Sequence, residues 1–147
     1  QKLEERGIFN RTEEMNKALV ELSKQAADGK AWVAGDIAPT GRFLAPLGDA
    51  SFEELVDIYT EQAAGLEQAD VDLYVIETMM TLTDARAAVL AIRSMSKKPI
   101  LVSFTCDESG KILSGTDVVA ALCVMEGMGV SAFGLNCSAG PELLGRA

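Results

Sequence analysis

Four short apolar segments, each followed by polar residues and then by a helical pattern, constrain the fold of this chain more than any other feature. The segments begin near residues 31, 71, 100 and 131. Their apolar residues are consecutive rather than alternating, which is typical of parallel strands buried on both faces. We therefore predict an α/β protein with strands at residues 31–34, 71–76, 100–104 and 130–133.

Helical spacing of apolar residues fills the intervals between these segments. The pattern predicts helices that contain residues 15–26, 52–66, 82–92 and 118–125. Ser51 and Glu54 have the spacing of a capping box at the start of the second helix. Thr116 or a neighbour is expected to cap the fourth helix, and Pro141 with Glu142 suits the first turn of another.

Two architectures fit this alternation, a doubly wound sheet and part of a (β/α)8 TIM barrel. No Gly-x-Gly-x-x-Gly sequence follows any predicted strand, which disfavours a nucleotide-binding sheet. A complete barrel needs about 250 residues, whereas this sequence has 147. We interpret residues 1–147 as an internal fragment of a barrel, with about four βα units of a longer protein.

The composition excludes several classes of function. A net charge of −9 argues against nucleic acid and anionic membrane surfaces as partners. No apolar stretch approaches the roughly 18 residues that span a bilayer. Three widely separated cysteines predict a reduced, cytoplasmic protein. The absence of histidine excludes Ser-His-Asp and Cys-His catalysis, so any metal ligands must be thiolates or carboxylates.

Polar side chains follow the predicted strands. Because the C-terminal ends of parallel barrel strands share one face, these residues can line one pocket although they are far apart in sequence. The candidates are Asp36, Glu77, Thr78, Thr105, Asn136 and Cys137.

Each candidate has a functional and a purely structural interpretation. Cys137 can be a metal ligand or nucleophile, or a small apolar residue in the core. Glu77 follows an apolar run, where an unpaired carboxylate is costly, and this favours a functional role. Asp36 can instead start a turn, and Thr78 can cap the next helix.

The other two cysteines and one acidic segment are interpreted differently. Cys123 lies beside Leu122 on a predicted helix and is expected to pack in the core. Cys106 also follows a strand and could neighbour Cys137, so its role stays open. Residues 107–110 are expected to form a solvated turn.

Several of these segments together resemble the homocysteine S-methyltransferase family. The most specific is Gly-Leu-Asn-Cys at 134–137, and the resemblance is closest to the homocysteine-binding domain of the cobalamin-dependent methionine synthases. The other segments that resemble the family are 35–41, 77–78, 103–105, 107–110, 113–117 and 140–142.

The resemblance implies a (β/α)8 barrel in which three cysteines hold a zinc ion that binds the homocysteine sulfur. Cys137 matches the first of these ligands. The other two form a Cys-Cys pair near the end of the family's barrel, beyond this sequence. Glu77 matches a carboxylate that recognises the homocysteine amino group, and Asn136 matches a residue that lines the same pocket. Asp36 and Thr105 are placed in that substrate pocket as well.

The reaction that the resemblance implies is attack of zinc-bound homocysteine on a methyl donor, giving methionine. In the methionine synthases the donor is methylcobalamin, recharged from methyltetrahydrofolate, so the expected partners are cobalamin- and folate-binding modules. Cys106 departs from the family's usual apolar residue and is not assigned as a ligand.

Two alternatives remain open. The first is a metal-independent barrel lyase or isomerase that works through Glu77 and Asp36, although no lysine at a strand end offers a Schiff base. The second is a structural fragment that is inactive as it stands.

Overall fold

A four-stranded parallel sheet with helices packed against one face is the frame of the molecule. The computed structural model describes residues 3–138 and 140. A short 3-10 helix at Glu4–Arg6 comes first. The main elements are α1 (Thr12–Ala27), β1 (Ala34–Ile37), α2 (Phe52–Gln68), β2 (Leu73–Met79), α3 (Leu82–Arg93), β3 (Ile100–Phe104), α4 (Val118–Gly127) and β4 (Ala132–Leu135). The helix expected at Pro141 and Glu142 lies outside the described residues.

The strand order decides between the two predicted architectures. The strands lie side by side in chain order, β1-β2-β3-β4, and all neighbours are parallel. A doubly wound sheet reverses its strand order at a switch point, whereas a barrel adds each new strand on the same side. Helix α2 packs against both α1 and α3, as successive barrel helices do. The chain therefore folds as part of a (β/α)8 barrel.

The two faces of the sheet differ in burial. Alternate residues such as Tyr74, Ile76 and Ile100 are fully buried under the helices. The residues between them point to the opposite side, called here the open face, because side chains alternate along a strand. A shallow depression on the open face is lined by Val75, Leu101, Ser103, Ala132 and Gly134 among others. In a closed barrel this face is the interior.

The helix starts agree with the sequence, with one correction. The Ser51 hydroxyl accepts from the Glu54 N–H at 3.1 Å, and the Glu54 carboxylate accepts from the Ser51 N–H at 2.7 Å, so the predicted capping box is confirmed. Asp117, the neighbour of Thr116, caps α4. Thr81 caps α3, so the alternative role of Thr78 as a helix cap is wrong.

Three strands have different bounds from those predicted, while β3 matches the prediction. Strand β1 begins at Ala34 rather than at residue 31, because the Val33 N–H donates to the Asp72 carboxylate and Trp32 is 85% exposed. Strand β2 spans Leu73–Met79 and β4 spans Ala132–Leu135. As a result, Asp36, Glu77 and Thr78 lie in the last residues of their strands rather than beyond them.

Helix α4 corrects the prediction for Cys123. Its thiol is exposed, together with Val119 and Leu122, while Val118 and Met125 face the core. Because α4 is apolar on more than one side, its sequence pattern could not show which side is buried. Within residues 3–138 and 140, no helix combines the length and the apolar character needed to cross a membrane.

A buried tyrosine fixes the loop that follows β1. The Tyr59 hydroxyl on α2 donates to the Asp84 carboxylate on α3 at 2.7 Å and accepts from the Thr40 N–H at 3.3 Å. Burial, followed by the charge of Asp84, raises the pKa of Tyr59. The bonds therefore hold the β1–α2 loop against both helices.

Candidate functional site

A β-bulge at the end of β2 shapes the candidate site. Ile76 pairs with Val102 and Met79 with Phe104, so two residues of β2 stand opposite one residue of β3. Ile76 and Met79 are both buried beneath the helices, three positions apart instead of two. Both intervening residues, Glu77 and Thr78, are half-buried at the end of the strand. Bulges of this kind redirect side chains next to functional sites.

The bulge places Thr78 in a strained backbone conformation. Its φ is +59°, a region that β-branched residues rarely adopt. Such strain costs on the order of 1–3 kcal/mol. The Thr78 N–H turns toward β3 and donates to the Ser103 hydroxyl at 3.4 Å. The bulge thus directs Thr78 away from the regular pairing and across β3.

Cys137 lies at the end of β4, where two polar groups meet its sulfur. Asn136 extends the sheet by one bond, because its N–H donates to the Phe104 carbonyl at 3.0 Å. The Asn136 side-chain amide donates to the Cys137 Sγ at 3.4 Å and to the Thr78 Oγ1 at 2.8 Å. The Thr78 hydroxyl in turn donates to the Cys137 Sγ at 3.6 Å. Three side chains from β2 and the end of β4 therefore form one hydrogen-bonded group.

The chemistry of this group suits a negatively charged sulfur. An amide N–H and a hydroxyl both point their protons at the Cys137 Sγ, and donors of this kind stabilise an anionic acceptor. The thiol itself is exposed and can be reached by a ligand. The Asn136 Oδ1 is buried and accepts no hydrogen bond from any residue that the structure describes.

Two carboxylates lie near each other on β1 and β2. Asp36 pairs with Val75 in the sheet, and Glu77 is two residues further along β2 on the same side. Burial, followed by the negative charge of Glu77, raises the pKa of Asp36. A pair of neighbouring carboxylates at a strand edge favours binding of a cationic group such as an ammonium ion.

Thr105 and Cys106 occupy the end of β3 without joining the Cys137 group. The Thr105 N–H donates to the Met79 carbonyl at 3.0 Å, which places the residue at the same edge of the sheet. Within the described part of the chain, no hydrogen bond connects its hydroxyl to Thr78 or Cys137. Cys106 is buried and lines a separate depression with Met80.

The turn at residues 107–110 is solvated, as predicted. Residues 107–109 are exposed. The Asp107 carboxylate accepts from the Ser109 N–H at 2.8 Å and from the Lys111 N–H at 3.0 Å. The Ser109 hydroxyl also donates to this carboxylate at 2.7 Å, and this bond, followed by the one from the Lys111 N–H, lowers the pKa of Asp107. The segment therefore satisfies its own carboxylate.

The described residues fit part of a metal site. Among residues 3–138 and 140, no three cysteine, aspartate or glutamate side chains come together as a complete set of ligands. Cys137 is the thiol at the strand ends that is both exposed and surrounded by hydrogen-bond donors. This environment suits one thiolate ligand of a metal ion.

The hydrogen bonds join Asn136 and Cys137 with Thr78, whose contact with the sulfur the sequence did not indicate. The assignments of Cys137, Asn136 and Glu77 as site residues stay predictions. A threonine after a strand resembles a helix cap, and the sequence offers no sign that the backbone will turn to positive φ there. A bulge could have been inferred from the apolar residues Ile76 and Met79 only if their burial on one face had been known.

Comparison with known proteins agrees with this fold. The profile of the Homocysteine S-methyltransferase family matches residues 1–147. Methionine synthase of Mycobacterium leprae (strain TN) is 35% identical over 119 residues, which are 78% of this chain and 10% of that protein. Methionine synthase of Mycobacterium tuberculosis (strain ATCC 25618 / H37Rv) is 34% identical with the same coverage. The chain thus spans about a tenth of the length of these curated relatives.

The fold is also similar to that of the homocysteine methyltransferase MmuM from Escherichia coli. Its metallated form gives a TM-score of 0.76 at 25% identity, over 92% of this chain and 53% of that chain. Its apo form gives a TM-score of 0.73 at 24% identity, over 86% of this chain and 51% of that chain. With a family profile that matches from end to end and relatives above 30% identity, the chain belongs to the homocysteine S-methyltransferase family.

Proposed function

We propose that this chain is the homocysteine-binding part of a zinc-dependent methyltransferase of the methionine synthase type, which converts homocysteine to methionine. The observation that carries the proposal is the Cys137 sulfur, exposed at a strand end and hydrogen-bonded by Asn136 and Thr78. Family membership and the similarity to proteins named methionine synthase support the same activity.

In this proposal Cys137 is one of three thiolate ligands of zinc. When bound, zinc keeps the homocysteine sulfur deprotonated, and therefore nucleophilic, at neutral pH. The likeness to metallated MmuM supports a metal in the family. The remaining ligands are proposed to lie in other parts of the whole protein, of which residues 1–147 are an internal barrel fragment.

The substrate's polar end is assigned to the carboxylates. Glu77, with Asp36 beside it in the sheet, attracts the homocysteine ammonium group, since two neighbouring carboxylates favour a cation between them. Asn136 and Thr105, at the ends of β4 and β3, are proposed to line the same pocket. The chain thereby orients homocysteine with its sulfur toward Cys137 and its amino group toward β2.

The methyl donor and the partner modules are proposed from sequence motifs, not from contacts within this chain. The likeness of residues 134–137 to the cobalamin-dependent enzymes supports methylcobalamin as the donor. Cobalamin- and folate-binding modules of the same cytoplasmic protein are the proposed partners, and no residue described in the structure is assigned to bind either cofactor.

A chelation experiment on the whole protein tests the proposed function. Removing metal with a strong chelator should abolish methyl transfer to homocysteine from methylcobalamin, and zinc should restore it, because the substrate thiol is otherwise mostly protonated. Betaine and S-methylmethionine serve as competing donors. Methyl transfer that survives complete metal removal would contradict the zinc-dependent proposal, and a lyase or isomerase that uses Glu77 and Asp36 would show no methyl transfer with or without metal.

The 147-residue chain by itself should behave as an inactive fragment. We expect it to bind zinc weakly, to show no methyl transfer, and to elute above its monomer mass of 15.6 kDa in size-exclusion chromatography. The described strands β1 and β4 each pair on one side only, and unpaired edges promote association. Tight binding of one zinc per isolated chain would contradict this expectation, and so would a monomeric elution volume.

A further inference from the structure

Thr78 combines an unfavourable backbone with three hydrogen bonds. At φ +59° a glycine would be relaxed and a β-branched residue is not. Its N–H nevertheless donates to Ser103, and its hydroxyl accepts from Asn136 and donates to Cys137. Strained residues persist where their surroundings hold them, and they occur preferentially at functional sites.

The position of Thr78 explains why a side-chain hydroxyl is needed there. Strand β3 separates β2 from β4, so a regular β2 residue would bond only to its neighbour. The bulge lifts Thr78 past Ser103 and brings its Oγ1 within 2.8 Å of the Asn136 amide and 3.6 Å of the Cys137 Sγ. A glycine would relieve the backbone but would leave both the amide and the sulfur without this partner.

We propose that Thr78 is a positioning residue for the metal ligand Cys137. The Thr78 hydroxyl fixes the direction of the Sγ, and by accepting from Asn136 it holds the amide so that the second amide proton also points at the sulfur. Outer partners of this kind orient the first ligands of metal sites. The inference rests on the proposed zinc site and assigns to Thr78 no contact with substrate.

The main rival explanation is that Thr78 only fills the bulge. The two explanations differ over three substitutions. Thr78→Ser keeps the hydroxyl, Thr78→Val keeps the branched shape without it, and Thr78→Gly removes the strain and the hydroxyl together. A space-filling role predicts that valine is tolerated and that glycine has no effect on metal binding.

The experiment measures zinc affinity of the whole protein by competition with a chelator, and the thermal midpoint Tm alongside it. We expect Thr78→Val to weaken zinc binding about 10- to 100-fold, the usual effect of losing an outer partner. Thr78→Ser should retain the affinity of the unmodified protein. Thr78→Gly should weaken binding as valine does while its Tm stays at or above that of the unmodified protein.

A Cys137→Ala variant separates failure of this inference from failure of the proposed function. If Cys137→Ala loses zinc while the valine and glycine variants bind it normally, Thr78 is a structural residue and the inference is overturned. If Cys137→Ala itself retains zinc, the proposed metal site fails and the role of Thr78 fails with it. Parallel loss in the valine and glycine variants, with serine unaffected, supports the inference.

Discussion

Replacing Cys137 with alanine is expected to remove zinc from the whole protein and, with it, methyl transfer to homocysteine. Cys137 is the one thiol that the structure places at the strand ends with donors directed at it, from Asn136 and Thr78. Loss of an outer hydrogen-bond partner costs about 10- to 100-fold in metal affinity, so loss of a ligand should exceed that range. Zinc content by elemental analysis and turnover with methylcobalamin measure the two effects.

The two other cysteines provide matched controls. Cys123 is an exposed thiol on α4, and Cys123→Ala should leave zinc content and turnover unchanged. Cys106 is buried and lines a different depression, so the Cys106→Ser protein should also retain a normal zinc content. Because alanine at position 137 removes little buried surface from an exposed side chain, folding should persist. An alanine variant that keeps a full complement of zinc would rule out Cys137 as a ligand.

The sequence allowed the architecture to be predicted because its main signal is periodic. Apolar segments with helical crossovers specify parallel strands. Both ends of β3, which lies between Pro99 and Thr105, were predicted correctly. The start of β1 was misplaced because residues 31–33 are apolar, although Trp32 is 85% exposed and Val33 bonds to a side chain. Hydrophobicity alone does not show whether an apolar residue at a sheet edge is paired.

For the same reason the sequence places the candidate residues at one edge of the sheet, although it does not show their contacts. Parallel strands bring their ends to one edge, so Glu77, Asn136 and Cys137 could be grouped from their positions alone. The role of Thr78 depends on the bulge, which arises from how Met79 packs beneath the helices. Cys123 was misassigned because α4 is apolar on both its buried and its exposed sides.

Replacing Glu77 with glutamine should raise the KM for homocysteine with a smaller effect on kcat. The variant keeps the shape and removes the charge that the proposal directs at the substrate ammonium group. A hydrogen bond to a charged group contributes about 1.5–3 kcal/mol, which corresponds to a rise in KM of about 10- to 150-fold. Because the reacting sulfur is at the Cys137 end of the site, the loss should fall mainly on binding rather than on the chemical step.

The same variant has a second readout that does not depend on activity. Burial and then the negative charge of Glu77 raise the pKa of Asp36. Removing that charge leaves burial and the opposing backbone hydrogen bond from Ile37, so the Asp36 pKa should fall in Glu77→Gln. Carboxyl resonances followed through a pH titration by NMR measure this fall. The direction follows because a neighbouring anion disfavours ionisation, and a neutral amide does not.

The control for Glu77→Gln is Glu108→Gln, which changes an exposed carboxylate in the turn at residues 107–110. Both variants lose one negative charge from the same chain, so a general electrostatic effect on substrate approach would appear in each. We expect only the Glu77 variant to shift the KM, and we expect its zinc content to be normal because the Cys137 group does not include this carboxylate. A lowered Asp36 pKa would show that the two carboxylates are close in space. If the KM is unchanged in the same variant, Glu77 does not bind the substrate.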